Sequence, residues 1–129
     1  LDGFADATAN LSLYGSGGLA VGGIRYLRNA LRPGLDYGQK IGIIRQALQE
    51  KGNFGLGVST EREALQLGKD FVGKGYRTNS DGSLASADGL REFRAPSYKP
   101  RLGKVQANFK TREVPSGKWQ SNGHLDIKK

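Results

Sequence analysis

The chain has 129 residues, which suits one compact domain with a core of moderate size. Its net charge of +8 predicts an anionic partner: nucleic acid, an acidic protein or a membrane surface. With no cysteine and one histidine, the chain cannot build a disulfide framework, a cysteine metal site or a multi-histidine zinc site. No apolar run approaches the ~20 residues of a membrane-spanning helix, so stable membrane insertion is not expected. Because it begins at Leu1 and lacks methionine, the chain is expected to be a piece of a longer polypeptide.

Residues 1–51 are expected to form a helical segment, a translocation or linker region ahead of a separate domain at 52–129. A first helix is predicted by the apolar spacing of Val21, Ile24, Leu27 and Leu31. The glycine cluster at 14–23 lacks the Gly-Lys-Ser/Thr ending of a phosphate loop, and no strand precedes it. A flexible joint or close helix packing explains the cluster better.

Two further helices carry capping signals. Asp36 with Gln39 has capping-box spacing and starts a helix that Gly52 is expected to end. The apolar stripe of that helix is Ile41, Ile44 and Leu48. Thr60 with Glu63 starts the next helix, predicted over 61–72. Its buried face consists of Ala64, Leu67 and Phe71, and Gly73 and Gly75 follow its end.

From residue 76 onward the pattern changes to short strands, and this part of the chain carries most of the charge. Residues 76–129 have a net charge of +6, against +2 for residues 1–75. Strands are predicted at 76–79, 84–86 and 90–94, separated by Asp-Gly turns. The stretch 94–101, with its two prolines, is predicted to be a loop.

The segment KVQANFKTREV (104–114) alternates strictly between apolar and polar side chains, which predicts a strand. Pro115-Ser116-Gly117 fits a three-residue hairpin loop that sets Val114 opposite Lys118. The resulting register pairs apolar residues on one face: Phe109 with Gly123, Ala107 with Leu125 and Val105 with Ile127. On the other face it pairs His124 with Asn108, Asp126 with Gln106 and Asn122 with Lys110.

This polar face suits cleavage of RNA, although a solvated strand face without a function would look similar. RNA carries its own nucleophile, the ribose 2′-hydroxyl, so cleavage needs a base, an acid and groups that stabilise the charge on phosphorus. A histidine can serve as base or acid near neutral pH. The candidate catalytic residues are His124, Lys99 and Asn108. The candidate substrate-binding residues are Arg91, Arg94, Arg101, Lys104, Gln106, Lys110 and Asn122.

Other residues have competing interpretations. Tyr98 or Trp119 could stack on a base, but Trp119 falls on the apolar side of the predicted register, which favours core packing. Asp88 and Asp126 are better explained as a turn former and a charge partner than as catalysts. No metal and no cofactor are expected, because hydrolysis of DNA, unlike that of RNA, would usually need a metal held by carboxylates and histidines.

Five motifs in order resemble the C-terminal toxin region of contact-dependent growth-inhibition exoproteins, which are filamentous-haemagglutinin-like proteins of Gram-negative bacteria. The motifs are GNFGLG (52–57), SADGLREFR (86–94), APSYKP (95–100), VQANF (105–109) and SNGHLDI (121–127). The resemblance covers residues 52–129 and is less clear over 1–51. It implies a nuclease toxin of the barnase/EndoU/colicin/RelE-like fold: an α+β domain in which N-terminal helices pack on a twisted antiparallel sheet.

The resemblance also implies partners and a place of action. Several such toxins cut transfer RNA, so tRNA is the expected substrate, with a 2′,3′-cyclic phosphate as product. The toxin would be the C-terminal part of a secreted, cell-surface exoprotein and would act in the cytoplasm of the target cell. A cognate immunity protein with an acidic surface is the expected inhibitor, and a host cofactor protein is an additional candidate partner. The alternatives are a DNase toxin and a non-enzymatic module for nucleic-acid binding or translocation.

Overall fold

The computed structural model describes residues 34–128, and the predicted helix at 21–31 and the glycine cluster lie outside this range. The described part contains two helices and six strands. In chain order they are α1 (Tyr37–Gln49), β1 (Gly52–Ser59), α2 (Glu61–Val72), β2 (Arg77–Thr78), β3 (Leu84–Ala85), β4 (Arg91–Lys99), β5 (Lys104–Thr111) and β6 (Ser121–Ile127). The predicted α+β class is confirmed.

The six strands form one sheet in the order β1-β6-β5-β4-β3-β2. Strand β1 runs parallel to β6, and every other neighbouring pair is antiparallel. The expectation of a wholly antiparallel sheet is therefore wrong, because the missed strand β1 makes it mixed. Strand β6, which carries His124, lies between β1 and β5.

Both capping boxes are present. The Asp36 side chain accepts a hydrogen bond from the Gln39 backbone N–H, and Thr60 does the same for Glu63. Helix α2 has the predicted bounds. Helix α1, however, ends at Gln49, and Gly52 is not its terminator but the first residue of β1. The sequence GNFGLGVS has too few side chains to show strand alternation, so β1 was not predicted.

Both helices pack on one side of the sheet, and one hydrophobic cluster joins them to it. Residues from α1, α2 and the strands belong to the same cluster: Ile43, Ile44, Ala47, Leu56, Ala64, Leu67, Phe71, Val72, Phe93, Ala107, Phe109 and Leu125. Helix α1 precedes the expected domain boundary at residue 52, yet its buried residues complete the core of the sheet. The folded unit that the structure describes therefore includes α1.

Helix α2 approaches β4 closely at a glycine. A Cβ added at Gly68 would lie 2.3 Å from the Phe93 ring, much closer than any real contact. A glycine usually weakens a helix interior, so its presence there indicates a packing requirement. Gly68 lets the helix backbone rest on the Phe93 ring.

Strand β4 is longer than predicted, and it bends. Residues 94–99 continue the strand rather than form a loop, and the pairing with β5 shifts register between Arg94 and Ser97. Such a bulge changes which side chains share a face. Before it Arg94 pairs with Asn108, and after it Lys99 pairs with Lys104. The bulge therefore places both Arg94 and Lys99 on the face away from the helices.

The predicted register of β5 and β6 is confirmed. Pairing runs from Gln106 with Asp126 to Thr111 with Ser121, so Asn108 lies opposite His124. The predicted tight hairpin is wrong in its extent, because the strands separate after Thr111 and residues 112–120 form a wider connection. Of the predicted hairpin loop, the structure retains the turn in which the Gly117 N–H donates a hydrogen bond of 2.9 Å to the Val114 carbonyl.

Candidate active site

The side chains of β1, β4, β5 and β6 that point away from the helices form one surface, here called the polar face. At its centre, His124 is half-buried between its strand neighbours. The amide nitrogen Nδ2 of Asn108 lies 3.0 Å from His124 Nδ1 and 3.0 Å from Asn122 Oδ1. On the other side, His124 Nε2 lies 3.5 Å from Asn53 Oδ1. The imidazole thus lies between two amides, that of Asn108 on β5 and that of Asn53 on β1.

The orientation of the Asn108 amide and the tautomer of a neutral His124 are linked. The structure has the amide with Nδ2 towards the ring. Because Nδ1 accepts from the Asn108 amide, the single ring proton lies on Nε2, which faces Asn53. Asn108 is itself only 5% exposed, so its amide is fixed by these contacts rather than by water. The strand pairing sets the position of the ring, and the orientation of the Asn108 amide goes with its tautomer.

Burial lowers the pKa of His124 most, and the positive charges of Lys99 and Lys110 lower it further, while Asp126 acts in the opposite direction. Both burial and nearby cations disfavour the imidazolium form. His124 is therefore neutral at neutral pH and can accept a proton.

A pocket of about 710 Å³ opens beside His124, here called the cationic pocket. Its lining residues are Arg94, Lys99, Pro100, Arg101, Leu102, Gln106, Asn108, Lys110, Asn122 and His124. All candidate site residues except Arg91 and Lys104 line it. No carboxylate of the described residues is among the lining residues. Four cations and three amides in one concave surface form a site for an anion.

The four cations differ in how they are neutralised. Lys110 Nζ lies 3.9 Å from Glu92 Oε2, and Arg94 contacts both Glu92 and Asp81, at 3.8 and 3.4 Å. Within residues 34–128, no salt bridge involves Lys99 or Arg101. The positive charge available to a ligand is therefore concentrated at the end of β4 and the turn that follows it.

Asp126 organises the other side of the polar face. Its Oδ1 accepts from Gln106 Nε2 at 2.7 Å, and its Oδ2 accepts from Lys104 Nζ at 3.1 Å. The hydrogen bond from Gln106, followed by the contact with Lys104, lowers the pKa of Asp126. The carboxylate is thus ionised and neutralises Lys104, in agreement with the interpretation of Asp126 as a charge partner.

The structure places three candidate residues away from this site. Arg91 lies on the helix side of the sheet, where its guanidinium donates to the Val72 carbonyl at 3.3 Å. The bulge in β4 turns Tyr98 to the same side, where it is 62% exposed. Trp119 lies outside the core, contrary to the expected core packing, and the Cζ atom of Arg112 lies 4.1 Å from its ring centroid.

Asn53 is a site residue that sequence reasoning missed. It reaches His124 because β1 pairs in parallel with β6, Asn53 opposite Asn122 and Gly55 opposite His124. The available signal was an asparagine in the glycine-rich segment GNFGLG, and this signal is weak. Without a prediction of β1 as a strand, nothing connected Asn53 with a histidine 71 positions later.

Among residues 34–128, no group of three or more histidine, aspartate or glutamate side chains could hold a metal ion. No helix in that range is long and apolar enough to cross a membrane. Comparisons with protein-family models, curated proteins and solved structures found no significant match. What the site can do therefore follows from its own geometry and chemistry.

Proposed function

We propose that this chain is an endoribonuclease that cleaves RNA by attack of the ribose 2′-hydroxyl. The observation that supports this most is a neutral, amide-held His124 at the rim of a cationic pocket that, among residues 34–128, no carboxylate lines. The pocket supplies what a phosphodiester needs, namely cations and amide donors, and the histidine supplies a proton acceptor. RNA needs no further nucleophile.

In the proposed reaction the scissile phosphate lies in the cationic pocket. Lys99, Arg101 and the amide of Asn122 contact its non-bridging oxygens and stabilise the charge that develops on them. His124 takes the proton from the 2′-hydroxyl while the 2′-oxygen bonds to phosphorus. The bond from phosphorus to the 5′-oxygen breaks, and the Lys99 ammonium gives that oxygen a proton. The products are a 2′,3′-cyclic phosphate and a 5′-hydroxyl.

The role of His124 as base assigns a specific task to Asn108. If Nε2 is to accept the proton, Nδ1 must carry the ring proton and needs an acceptor. Asn108 provides one when its amide turns by 180° and presents Oδ1 instead of Nδ2. Asn122 then turns as well, so that its own Nδ2 donates to the same oxygen. The amide pair can thus support either tautomer of the ring.

The biological setting of this proposal comes from the sequence resemblance. A nuclease toxin of contact-dependent growth inhibition would cleave tRNA in the target cell, and an acidic immunity protein would inhibit it in the producer. The charge distribution supports such an inhibitor, because Lys99 and Arg101 lie in no salt bridge within the described residues and would attract acidic side chains. A cover over the cationic pocket would block the proposed reaction directly.

The products test the proposal. Total tRNA and a short RNA of the same sequence as its cleaved region are incubated with the chain in excess EDTA, and the new ends are mapped. We expect cleavage that leaves a 2′,3′-cyclic phosphate and a 5′-hydroxyl. A matched RNA with a single 2′-deoxynucleotide at the cleavage position should resist cutting. Cleavage of that substrate or of DNA, or loss of activity in EDTA that a divalent ion restores, would contradict the mechanism.

A further inference from the structure

The polar face contains a second cavity on the far side of His124. It has a volume of about 430 Å³ and is formed largely by missing side chains on β1. Gly55 pairs with His124, so a side chain there would stand on the same face. A Cβ added at Gly55 or Gly57 would meet nothing within 4 Å. This cavity is here called the glycine hollow.

The glycine hollow differs from the cationic pocket in charge. Among the described residues its only charged side chains are Lys104 and Asp126, which form a salt bridge of 3.1 Å and so neutralise each other. Val58 and Leu102, which are 48% and 57% exposed, supply apolar surface. The remaining polar groups at its rim, Asn53 and Gln106, are amides that can donate and accept hydrogen bonds. A phosphate gains little here, whereas a flat, neutral, hydrogen-bonding group fits.

The two cavities adjoin each other at His124. His124, Gln106 and Leu102 line both of them. One ligand can therefore place one group in the glycine hollow and another in the cationic pocket, with His124 between them. The volume of the hollow falls within the range of small-ligand sites, about 300–1,000 Å³.

We propose that the glycine hollow binds the nucleobase of the nucleotide whose phosphate lies in the cationic pocket. This rests on the proposed function and extends it to substrate selection. The bare peptide surface at Gly55 lets a planar base lie close to the strand. The amides of Asn53 and Gln106 and the carboxylate of Asp126 contact its edge, so the hollow discriminates among bases.

Binding without turnover tests this proposal. The full chain is titrated with each of the four ribonucleoside 3′-monophosphates and with inorganic phosphate. We expect at least one nucleotide to bind about tenfold more tightly than phosphate, with clear differences among the four bases. Gly55→Leu fills the hollow and should remove this advantage while leaving the affinity for phosphate unchanged. Gly42→Leu is the matched control, since Gly42 lies on α1 with equally open space around its Cβ.

Two outcomes would overturn the proposal: phosphate binding as tightly as every nucleotide, or Gly55→Leu weakening phosphate and nucleotides alike. If Gly55→Leu does not fold, Asn53→Asp replaces an amide donor at the rim by an acceptor and should change which nucleotide binds best. An unchanged ranking would count against the proposal. If the chain discriminates among bases but never cuts RNA, the proposed reaction is refuted and base binding in the glycine hollow is supported. If the chain cuts RNA without discriminating among bases, base binding in the hollow is refuted and the proposed reaction is supported.

Discussion

The two faces of strand β5 are almost equally inaccessible, yet different forces hold them. On the helix side Phe109 is fully buried, with its ring centroid 5.2 Å from that of Phe71 and 5.0 Å from that of Phe93. On the polar face Gln106 and Asn108 are only 5% exposed, but they are held by hydrogen bonds to neighbouring side chains. Burial alone therefore does not separate the core from the site. The kind of contact separates them. We therefore expect substitutions on the helix side to lower stability and substitutions on the polar face to lower activity.

The largest expected effect is on the polar face. Replacing His124 by Ala removes the proposed base, and the rate of RNA cleavage should fall by about 10²–10⁴-fold. Because the side chain is half-buried and makes no core contact, the free energy of unfolding should change by less than ~1 kcal/mol. Cleavage kinetics and urea unfolding measure the two quantities. Tyr98→Ala, a truncation of an exposed side chain on the other face, is the control and should alter neither. If the His124 variant cleaves RNA at the wild-type rate, His124 is not the base of the reaction.

On the helix side, Gly68→Ala should have the opposite profile. The added methyl group collides with the Phe93 ring, and overpacking of this kind costs about 1–3 kcal/mol of unfolding free energy. Gly42→Ala in α1 places the same methyl group in open space and should stabilise the fold by about 0.5–1 kcal/mol through its better helix propensity. The midpoints of urea unfolding separate the two variants. Equal midpoints would mean that the contact between α2 and β4 is looser than the structure indicates.

A smaller effect concerns association with the proposed acidic inhibitor. Reversing the charge of Lys104 and Lys110 to Glu should slow association at low salt by about tenfold if the inhibitor covers the polar face, and salt should reduce the difference. The double variant Arg62→Glu/Lys69→Glu, on the exposed side of α2, changes the net charge by the same amount and should slow association less. Equal association rates for the wild type and the double variant at low salt would place the inhibitor on another surface.

The subtlest test uses the pH dependence of cleavage. A base must be neutral, so activity should rise with pH through the pKa of His124, and a lowered pKa extends activity below the ordinary value of about 6.5. Lys110→Gln removes a positive charge that lowers this pKa, so the acidic limb should move to higher pH. Asp126→Asn removes a negative charge that raises it, and the limb should move to lower pH. Profiles of kcat/KM against pH for the wild type and both variants measure these shifts. If the acidic limb moves in neither variant, a group other than His124 controls it.

Features determined by neighbouring residues could be predicted from the sequence. The capping boxes of Asp36 and Thr60 start their helices as expected, and the alternation in β5 predicts the partner of every polar residue from Gln106 to Lys110. The capping boxes depend on side chains three positions apart, and the strand partners follow from the register of β5 with β6. The central pair of the site, Asn108 and His124, followed from them.

Features that depend on backbone irregularity or on distant pairing could not be predicted. The bulge in β4 places Tyr98 on the helix side and Lys99 on the polar face, and no residue pattern in the proline-containing stretch, predicted to be a loop, signals it. Strand β1 pairs with a segment near the other end of the described residues, and its glycines hide the strand period. The glycine hollow and the contact of Asn53 with His124 both depend on β1, so only the structure could reveal them.

The position of β6 between β1 and β5 also has a consequence for the order of folding. Its pairing with β5 is nearly local, but its pairing with β1 joins Gly52 to Ser121 and must close a long loop. Long-range pairings form late, since the entropy of loop closure is lost before the contact compensates for it. Helices α1 and α2 can form from local signals well before that step. We therefore expect the contact between His124 and Asn53, and with it the glycine hollow, to form late in folding.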